Sequence, residues 1–345
     1  MNIPSTMKAL ILKQGGYSSV PSTYEPASLD PFLDYGDLAV PESGDGQVLI
    51  RLRCAAVNPS DVMFLQGTYG QPRVAGEAAG FEAVGDVVRS GGGAIADRLV
   101  DKRVAFVARG SGAWAEYVLA EAAACVPLRA DVRDEDGAAM IVNPLTAYAM
   151  LGIVRKSGSK AFVMTAAASQ LCKLITGLAK DEGYRAISIV RRDSQIEPLR
   201  ALGATHVLNS EADGFAADFA ALVKSEKPVV LLDASTGPVP SNLFRRMGSG
   251  TRWIVYGRLS DEPTTILEPG QLIFQRKRIE GFWLATWLRD TPPGEKLAAF
   301  DAVQSRFASG QWATQVAARV PLAEVHARLP GLLAGPNAGK VLIVP

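Results

Sequence analysis

The sequence predicts an α/β protein with two domains: a β-rich domain comes first, and a doubly wound domain built on a parallel sheet follows it. The first 130 or so residues are rich in Gly, Pro and short β-like runs. From about Ala161, short apolar runs alternate with helical stretches, which is typical of a parallel sheet covered on both faces. A chain of 345 residues that is 48% hydrophobic is long enough to form both cores.

In the β-rich part, strands are expected where β-branched and apolar residues concentrate between turn-forming residues. The first runs over residues 8–12, and the Pro-spaced, acidic segment 17–46 is expected to be an irregular loop. The further candidates are 47–57, 80–88, 103–107 and 114–119.

In the second part, the predicted strands are 161–165, 186–190, 205–208, 229–233, 252–256 and 279–287. Between the first two, Leu171, Leu174, Ile175 and Leu178 have the i, i+3, i+4, i+7 spacing of a helix that packs one apolar stripe on a sheet. This is a βαβ unit. A helix is expected to run through Phe307, and a last strand, 339–344, is expected to return to the first domain.

Composition excludes several classes of function. The formal net charge is +1, so the whole molecule has no strong attraction for nucleic acid or for a membrane. Three scattered cysteines do not form a disulfide framework and suit a reducing compartment. The start has no signal-peptide pattern, and no apolar run is long enough to span a membrane. We therefore expect a soluble cytoplasmic protein.

The turn after the first strand of the parallel sheet is a candidate dinucleotide site. A Rossmann site uses a Gly-rich turn there, so that backbone N–H groups can approach a diphosphate. Here residues 165–172 carry small residues, Gln and Cys instead, and each added Cβ makes close approach costlier. The helix dipole remains, and Ser169 and Gln170 can donate to phosphate. These residues alone leave an ordinary strand-to-helix turn equally open.

The end of the second strand favours NADPH. An NAD site normally has Asp or Glu there for the ribose hydroxyls, whereas Arg191 and Arg192 follow Val190 directly. A guanidinium group binds a 2′-phosphate through two parallel hydrogen bonds. The alternative is a solvated pair at a strand end, and Asp193 nearby is an acid that an NAD site could use.

Metal ligands are scarce in the sequence. The only histidines are His206 and His326, and Cys54, Cys125 and Cys172 are in no C-x-x-C spacing. A zinc ion that polarises a carbonyl needs three or four such ligands. We therefore expect hydride chemistry without zinc, which favours acceptors that delocalise negative charge, such as quinones and α,β-unsaturated carbonyls.

Several motifs together resemble the zinc-independent medium-chain dehydrogenase/reductases, specifically the quinone oxidoreductases and mitochondrial-type 2-enoyl thioester reductases. They span nearly the whole chain, at residues 57–61, 67–70, 80–85, 112–117, 142–148, 202–204 and 279–284. Zinc members of the family have a histidine before the glutamate that matches Glu82, and Phe81 stands there. The resemblance implies a GroES-like catalytic domain over 1–135 and 300–345, and a Rossmann cofactor domain over 136–299.

The resemblance also implies residue roles. Tyr69 matches the tyrosine proposed to be catalytic in the thioester reductases, where a donor must hydrogen-bond the enolate formed by hydride addition. The alternative is a tyrosine packed in a turn with its hydroxyl in solvent. Asn58 is the second catalytic candidate, because its amide can bind the nicotinamide ribose or the substrate oxygen; an Asn-Pro turn is the alternative.

The predicted cofactor contacts fall at the carboxyl ends of strands and at helix starts, where open α/β sheets bind ligands. For the aromatic residues among them, core packing is the alternative, and for the lysine it is ordinary solvation. The predicted set is Asn143, Thr146, Ala167, Ser169, Gln170, Leu171, Arg191, Arg192, Tyr256, Gly257, Phe282, Trp283, Leu284 and Lys340.

These observations predict an NADPH-dependent, zinc-free oxidoreductase that transfers hydride to a quinone or another α,β-unsaturated carbonyl, with NADH as the less favoured cofactor. A 2-enoyl-CoA or enoyl-carrier-protein thioester reductase is the first alternative. A non-catalytic NADPH-binding protein of the same fold is the second, because the turn at 165–172 has lost its glycines. The resemblance further implies a homodimer, with no nucleic-acid or membrane partner.

Overall fold

The computed structural model describes residues 3–20, 25–108, 110–260, 262–335 and 339–345. The chain divides into two compact units. Unit 1 comprises Met1–Val142 and Phe300–Pro345, and unit 2 comprises Asn143–Ala299. Within the described residues no helix has the length and apolarity that crossing a bilayer requires.

Unit 1 is rich in β-structure, as predicted. Its strands are β1 (Thr6–Leu12), β2 (Leu33–Ala39), β3 (Gln47–Ala56), β4 (Glu82–Ser90), β5 (Arg103–Val107), β6 (Tyr117–Glu121), β7 (Cys125–Pro127), β14 (Val316–Pro321) and β15 (Lys340–Val344). Its helices are α1 (Pro59–Leu65), α2 (Ala94–Leu99), α3 (Asp134–Ala138) and α12 (Val325–Ala334). β1 and β2 pair with each other, and the seven-stranded sheet has the order β14-β15-β3-β4-β5-β7 with β6 on β3.

The prediction of an irregular loop over residues 17–46 is wrong in part. β2 lies within this segment and pairs antiparallel with β1 along its whole length. Its sequence is polar because most of the strand is exposed and only Leu33 is buried. Such a strand lacks the apolar alternation by which strands are recognised. Residues 21–24 of the predicted loop lie outside the described residues.

The prediction that the last strand returns to the first domain is confirmed. β15 lies between β14 and β3, and Leu342 pairs with Ala56. Both Leu342 and Ile343 are fully buried. Burial of an apolar strand in the middle of a sheet explains why the terminal apolar run of the sequence stands out.

Unit 2 is the predicted doubly wound domain. Its strands are β8 (Ala161–Met164), β9 (Arg185–Val190), β10 (His206–Asn209), β11 (Val230–Asp233), β12 (Arg252–Val255) and β13 (Arg278–Gly281). Its helices are α5 (Gln170–Asp181), α6 (Ile196–Ala201), α7 (Phe215–Glu226), α8 (Pro238–Arg246), α9 (Gly270–Phe274) and α10 (Leu284–Asp290), with α4 (Val142–Arg155) leading in and α11 (Pro293–Ala308) leading out.

All strand pairs of unit 2 are parallel, and their order is β10-β9-β8-β11-β12-β13. Numbered within the unit, this is the order 3-2-1-4-5-6 of dinucleotide-binding domains. β8 and β11 are buried at every position, as expected for central strands covered on both faces.

The predicted last strand of unit 2 is too long. β13 ends at Gly281, and α10 begins at Leu284, so the predicted strand 279–287 covers a short strand, a two-residue link and a helix. Only Phe282 extends the pairing, through its N–H to the Val255 carbonyl at 2.8 Å. Aromatic and branched residues make this segment resemble a strand, whereas Leu284 and Ala285 within it also favour a helix.

Candidate active site

The carboxyl edge of the unit 2 sheet is the first part of the candidate site. The strand order reverses between β8 and β11, which are paired through Leu231 and Val163. Open α/β sheets bind ligands outside the carboxyl ends of the strands at this switch point. Two turns leave from it: the β8–α5 turn (165–169) and the β11–α8 turn (234–237).

The β8–α5 turn ends in a capped helix. The Ser169 Oγ accepts a hydrogen bond from the Cys172 N–H at 3.3 Å, which fixes the start of α5. Among the described residues, the N–H groups of Gln170 and Leu171 have no acceptor. The buried Nε2 of Gln170 has no partner there either. The turn therefore presents unsatisfied donors at a helix N-terminus, as anion binding requires.

The lack of glycine in this turn places an alanine in a strained backbone conformation. Ala166 has a φ of 49°, in the left-handed region that glycine occupies at little cost. A residue with a Cβ pays about 1 kcal/mol or more there, so surrounding contacts must hold the turn in place. Ala167 is fully buried beside it, and its N–H bonds the Ile189 carbonyl at 3.1 Å.

A fully buried carboxylate, that of Asp233, lies at the end of β11. It accepts the Thr165 hydroxyl at 2.5 Å and the Trp253 indole N–H at 2.9 Å. It also accepts the N–H groups of Ser235 at 2.9 Å and Thr236 at 3.2 Å. Sequence analysis missed this residue, although an Asp as the last residue of a buried strand at the carboxyl edge was a usable signal.

Arg191 and Arg192 lie directly after β9, both exposed. Neither guanidinium group has a hydrogen-bond or ion-pair partner among the described residues, so both are available to an anion. Asp193, the acid next to them, accepts a hydrogen bond from the Asn209 amide at 2.8 Å. Among the described residues, the end of the second strand thus carries two unpaired cations.

Tyr256 and Gly257 follow β12 at the same edge. The Tyr256 hydroxyl lies 3.2 Å from the Cys172 Sγ, and burial raises the pKa of this hydroxyl well above its usual value. Gly257 lies close to the backbone of Ala234. A Cβ at position 257 would be 3.1 Å from the Ala234 carbonyl oxygen. Backbone at this position is therefore packed against the β11–α8 turn.

The remaining predicted contacts of unit 2 are placed as follows. Asn143 and Thr146 lie in the first turns of α4, with Thr146 buried. Phe282 is half-buried and Trp283 is 37% exposed, so core packing does not account for Trp283. Leu284 begins α10 and is in no strand.

Tyr69 lies in unit 1, beyond the end of α1. Gly67 precedes it with a φ of 75°, so a side chain there would be strained and would strike the Arg73 guanidinium. This glycine lets the chain turn tightly after the helix. The half-buried Tyr69 ring packs on Phe81, with ring centroids 5.2 Å apart.

Asn58 belongs to a buried polar cluster at the start of α1, together with Asp61, Glu82 and Lys340. Its Nδ2 donates to the Glu82 carboxylate at 2.8 Å, and its Oδ1 accepts from the Lys340 Nζ. Both ends of the amide are engaged, and 2% of the residue is exposed. A ligand contact of Asn58 stays a prediction.

The contact of Lys340 with a phosphate also stays a prediction. Its Nζ bonds Asn58 and the Val57 carbonyl, so the ammonium group is buried among partners in unit 1. Burial lowers the pKa of its ammonium group, while the charges of Glu82 and Asp61 oppose that shift. A buried lysine requires such partners because an unpaired buried charge is strongly unfavourable.

Burial is also the largest influence on the pKa values of the two carboxyl groups in the cluster. It raises the pKa of Asp61 to about 7, although the N–H groups of Asn58 and Phe81 favour its charged form. Burial raises the pKa of Glu82, against the opposing effects of Lys340, the Val142 N–H and Asn58. Glu82 accepts the N–H groups of Ile141 at 3.1 Å and Val142 at 2.8 Å. The cluster connects β4, β15 and α1 of unit 1.

Comparison with known protein families gives a separate match for each of the two units. The alcohol dehydrogenase GroES-like domain family matches residues 44–130, and the zinc-binding dehydrogenase family matches residues 172–299. In the part of the chain that the structure describes, no group of three or more His, Cys, Asp or Glu residues is arranged to hold a metal ion.

Solved structures and curated proteins extend the comparison. The structure of a candidate NADPH:quinone reductase from Mesorhizobium loti is 54% identical, covers 100% of both chains and has a TM-score of 0.95. A mitochondrial enoyl-(acyl-carrier-protein) reductase from Dictyostelium discoideum is 29% identical over 74% of each chain. The Etr1p/NADP/crotonyl-CoA complex, 20% identical over 99% of this chain and 100% of that one, has the same fold with a TM-score of 0.81.

The chain therefore belongs to the medium-chain dehydrogenase/reductase superfamily, and the family resemblance of its motifs is confirmed. The predicted combination of a GroES-like β-rich domain and a Rossmann domain is confirmed with it.

Proposed function

We propose that the protein is an NADPH-dependent oxidoreductase that transfers hydride to a quinone or another α,β-unsaturated carbonyl. Unit 2 is proposed as the cofactor domain and unit 1 as the catalytic domain, near the predicted boundaries of 1–135 with 300–345 and of 136–299. The observation that carries the proposal is the pair of free, exposed arginines at the end of the second strand of a 3-2-1-4-5-6 sheet.

The residues at the carboxyl edge fit a dinucleotide with a 2′-phosphate. Arg191 and Arg192 would hold that phosphate through their guanidinium groups. The unsatisfied N–H groups of Gln170 and Leu171 and the unpartnered Gln170 amide would hold the diphosphate. Ser169 orders this helix end through its capping bond to Cys172. NADPH, once bound, supplies the hydride.

In this proposal Tyr69 serves the acceptor. Hydride addition to a conjugated carbonyl places negative charge on the carbonyl oxygen, and a hydrogen-bond donor aimed at that oxygen lowers the barrier. The Phe81 ring packs against the Tyr69 ring, with ring centroids 5.2 Å apart. The Tyr69 hydroxyl is proposed to donate a hydrogen bond to the acceptor oxygen.

Reduction of an enoyl thioester is the second candidate reaction. The enoyl-(acyl-carrier-protein) reductase from Dictyostelium discoideum favours it, being similar over 74% of this chain. The protein of similar fold in the Etr1p complex is found with NADP and crotonyl-CoA. A non-catalytic NADPH-binding role is the third candidate, and it predicts cofactor binding without turnover of either acceptor.

A homodimer is part of the proposal. β13 is the outer strand of its sheet, with Ile279 38% exposed. The N–H groups of Arg278 and Phe282 bond back to the chain of β12, at Thr251 and Val255. Those of Ile279 and Gly281 therefore point away from the sheet, because N–H directions alternate along a strand. An exposed edge of this kind can pair with a second copy of the same strand.

Cofactor binding tests the proposal directly. Fluorescence titration of the wild-type chain with NADPH and with NADH is expected to give tighter binding of NADPH. Arg191→Ala and Arg192→Ala are each expected to weaken NADPH binding by about tenfold, since each removes charge-assisted hydrogen bonds. NADH binding is expected to stay unchanged, because NADH has no 2′-phosphate.

Arg200→Ala is the matched control. Arg200 is exposed and lies in the last turn of α6. Its guanidinium group forms an ion pair with Glu197. Wild-type binding of NADPH without preference over NADH would refute the role of the arginine pair. Tight binding of NADPH with no turnover of a small quinone or a 2-enoyl-CoA would favour the non-catalytic NADPH-binding role.

A further inference from the structure

We propose that Asp233 is a positioning residue for the cofactor: its buried carboxylate clamps the β8–α5 turn against the β11–α8 turn and so holds the diphosphate-binding backbone in a glycine-poor site. This inference rests on the proposed function, because it assigns the diphosphate of NADPH to the β8–α5 turn.

The carboxylate links side chains from three neighbouring strands or their ends. Thr165 follows β8, Asp233 ends β11 and Trp253 lies in β12, and both other side chains donate to Asp233. The bonded pair Thr165 and Asp233 spans the point at which the strand order reverses. The Thr165 hydroxyl also accepts the Ala234 N–H at 3.1 Å, so it connects the two turns directly.

The polar groups that contact the Asp233 carboxylate are hydrogen-bond donors. Besides Thr165 and Trp253, these are the N–H and hydroxyl of Ser235 and the N–H of Thr236. A buried acceptor surrounded only by donors is matched to a carboxylate and mismatched to an amide, which would turn an N–H toward some of them. The clamp is therefore specific for an acid at this position.

Strain explains why this chain needs a clamp. Ala166, next to Thr165, has a φ of 49°, and Thr236, next to Ser235, has a φ of 60°. Both residues carry a Cβ in the left-handed region, where each relaxes unless its surroundings fix it. Asp233 bonds to the neighbour of the first and to the backbone of the second. Relaxation of Ala166 would turn the N–H groups at the start of α5 away from the ligand.

Thr165→Val tests the clamp with little change in volume. It removes the hydroxyl that links Asp233 to the β8–α5 turn, so the Kd for NADPH is expected to rise by about tenfold. Adenosine 2′-phosphate has no diphosphate and is held by the arginine pair, so its Kd is expected to change by less than about twofold. Isothermal titration calorimetry measures both. Thr165→Ser keeps the hydroxyl and is expected to restore NADPH binding.

Thr176→Val is the matched control. Thr176 is equally buried, lies in α5 and bonds only the Cys172 carbonyl of its own helix. It is expected to leave both ligands unaffected, which separates the clamp from a general loss of stability. Wild-type NADPH affinity in Thr165→Val, or equal weakening of both ligands, would overturn the inference alone. Failure of the wild-type chain to bind NADPH would overturn the proposed function and the inference with it.

Discussion

Tyr69 is the side chain on which the proposed chemistry depends most. Its ring is held by Phe81, so loss of the hydroxyl leaves the packing in place. Tyr69→Phe is expected to lower kcat for a conjugated acceptor by about 10- to 100-fold, because it removes the donor to the developing oxyanion. The Kd for NADPH is expected to stay unchanged. Steady-state kinetics together with a fluorescence titration measure the two effects separately.

Tyr35→Phe provides the comparison for this prediction. Tyr35 is also in unit 1 and is 39% exposed on β2. The same chemical change there is expected to leave kcat at the wild-type value. A Tyr69→Phe enzyme with wild-type kcat on both a quinone and an enoyl thioester would show that the donor is another group.

The positions of single residues could be predicted where local sequence determines them. Arg191 follows a strand and Ser169 caps a helix as expected, because a strand end and a helix start can be recognised from a few neighbouring residues. The pairing of Lys340 could not be predicted, because its partner Asn58 is 282 positions away in sequence. The donors to Asp233 could not be predicted for the same reason, since Thr165 and Trp253 are 68 and 20 positions away. Burial and pairing over such distances follow from tertiary packing.

The secondary-structure elements repeat this pattern. Central strands of unit 2 were predicted to within a residue, as with Val230–Asp233, because burial on both faces makes them uniformly apolar. Two exposed segments were predicted poorly. β2 is polar because it is exposed, and the segment after β13 changes from strand to helix without Gly or Pro at the helix start.

The buried cluster of unit 1 connects elements through ionisable groups, and its pH dependence is testable. Asp61 has a pKa of about 7 in the fold, against an ordinary value of 3.8. Between these values the folded state holds the proton more tightly than the unfolded state. The stabilising contribution is therefore complete at low pH and is lost as pH rises toward and through 7. Glu82 and Lys340 are the charged neighbours that modulate it.

Asp61→Asn removes this titration. The free energy of unfolding of the wild type minus that of the variant is expected to fall by about 2 kcal/mol between pH 5 and pH 8. Urea unfolding at several pH values measures the difference. Asp30→Asn, at an exposed position of the same unit, is the control and is expected to give a difference that hardly changes with pH. An equally flat difference for Asp61→Asn would contradict the assigned pKa.

At the scale of the whole molecule, the open edge of β13 predicts the state of assembly. Ile279→Lys places a like charge on both copies of a strand pair around a twofold axis, so it is expected to convert the proposed homodimer to a monomer. Sedimentation equilibrium measures the mass. Leu297→Lys, on α11 with 65% of Leu297 exposed, is the control and is expected to remain dimeric. A dimeric Ile279→Lys variant would place the interface elsewhere.

The route of the chain through unit 1 has a consequence during synthesis. β15 lies between β14 and β3, yet both β14 and β15 follow the whole of unit 2 in sequence. A ribosome therefore releases all of Asn143–Ala299 before it makes the strands that complete the first sheet. The contiguous unit can fold on the nascent chain, whereas the discontinuous unit must wait with part of one flank of β3, at Ala55 and Ala56, uncovered. Chaperones that shield unpaired strands during translation would act on that flank.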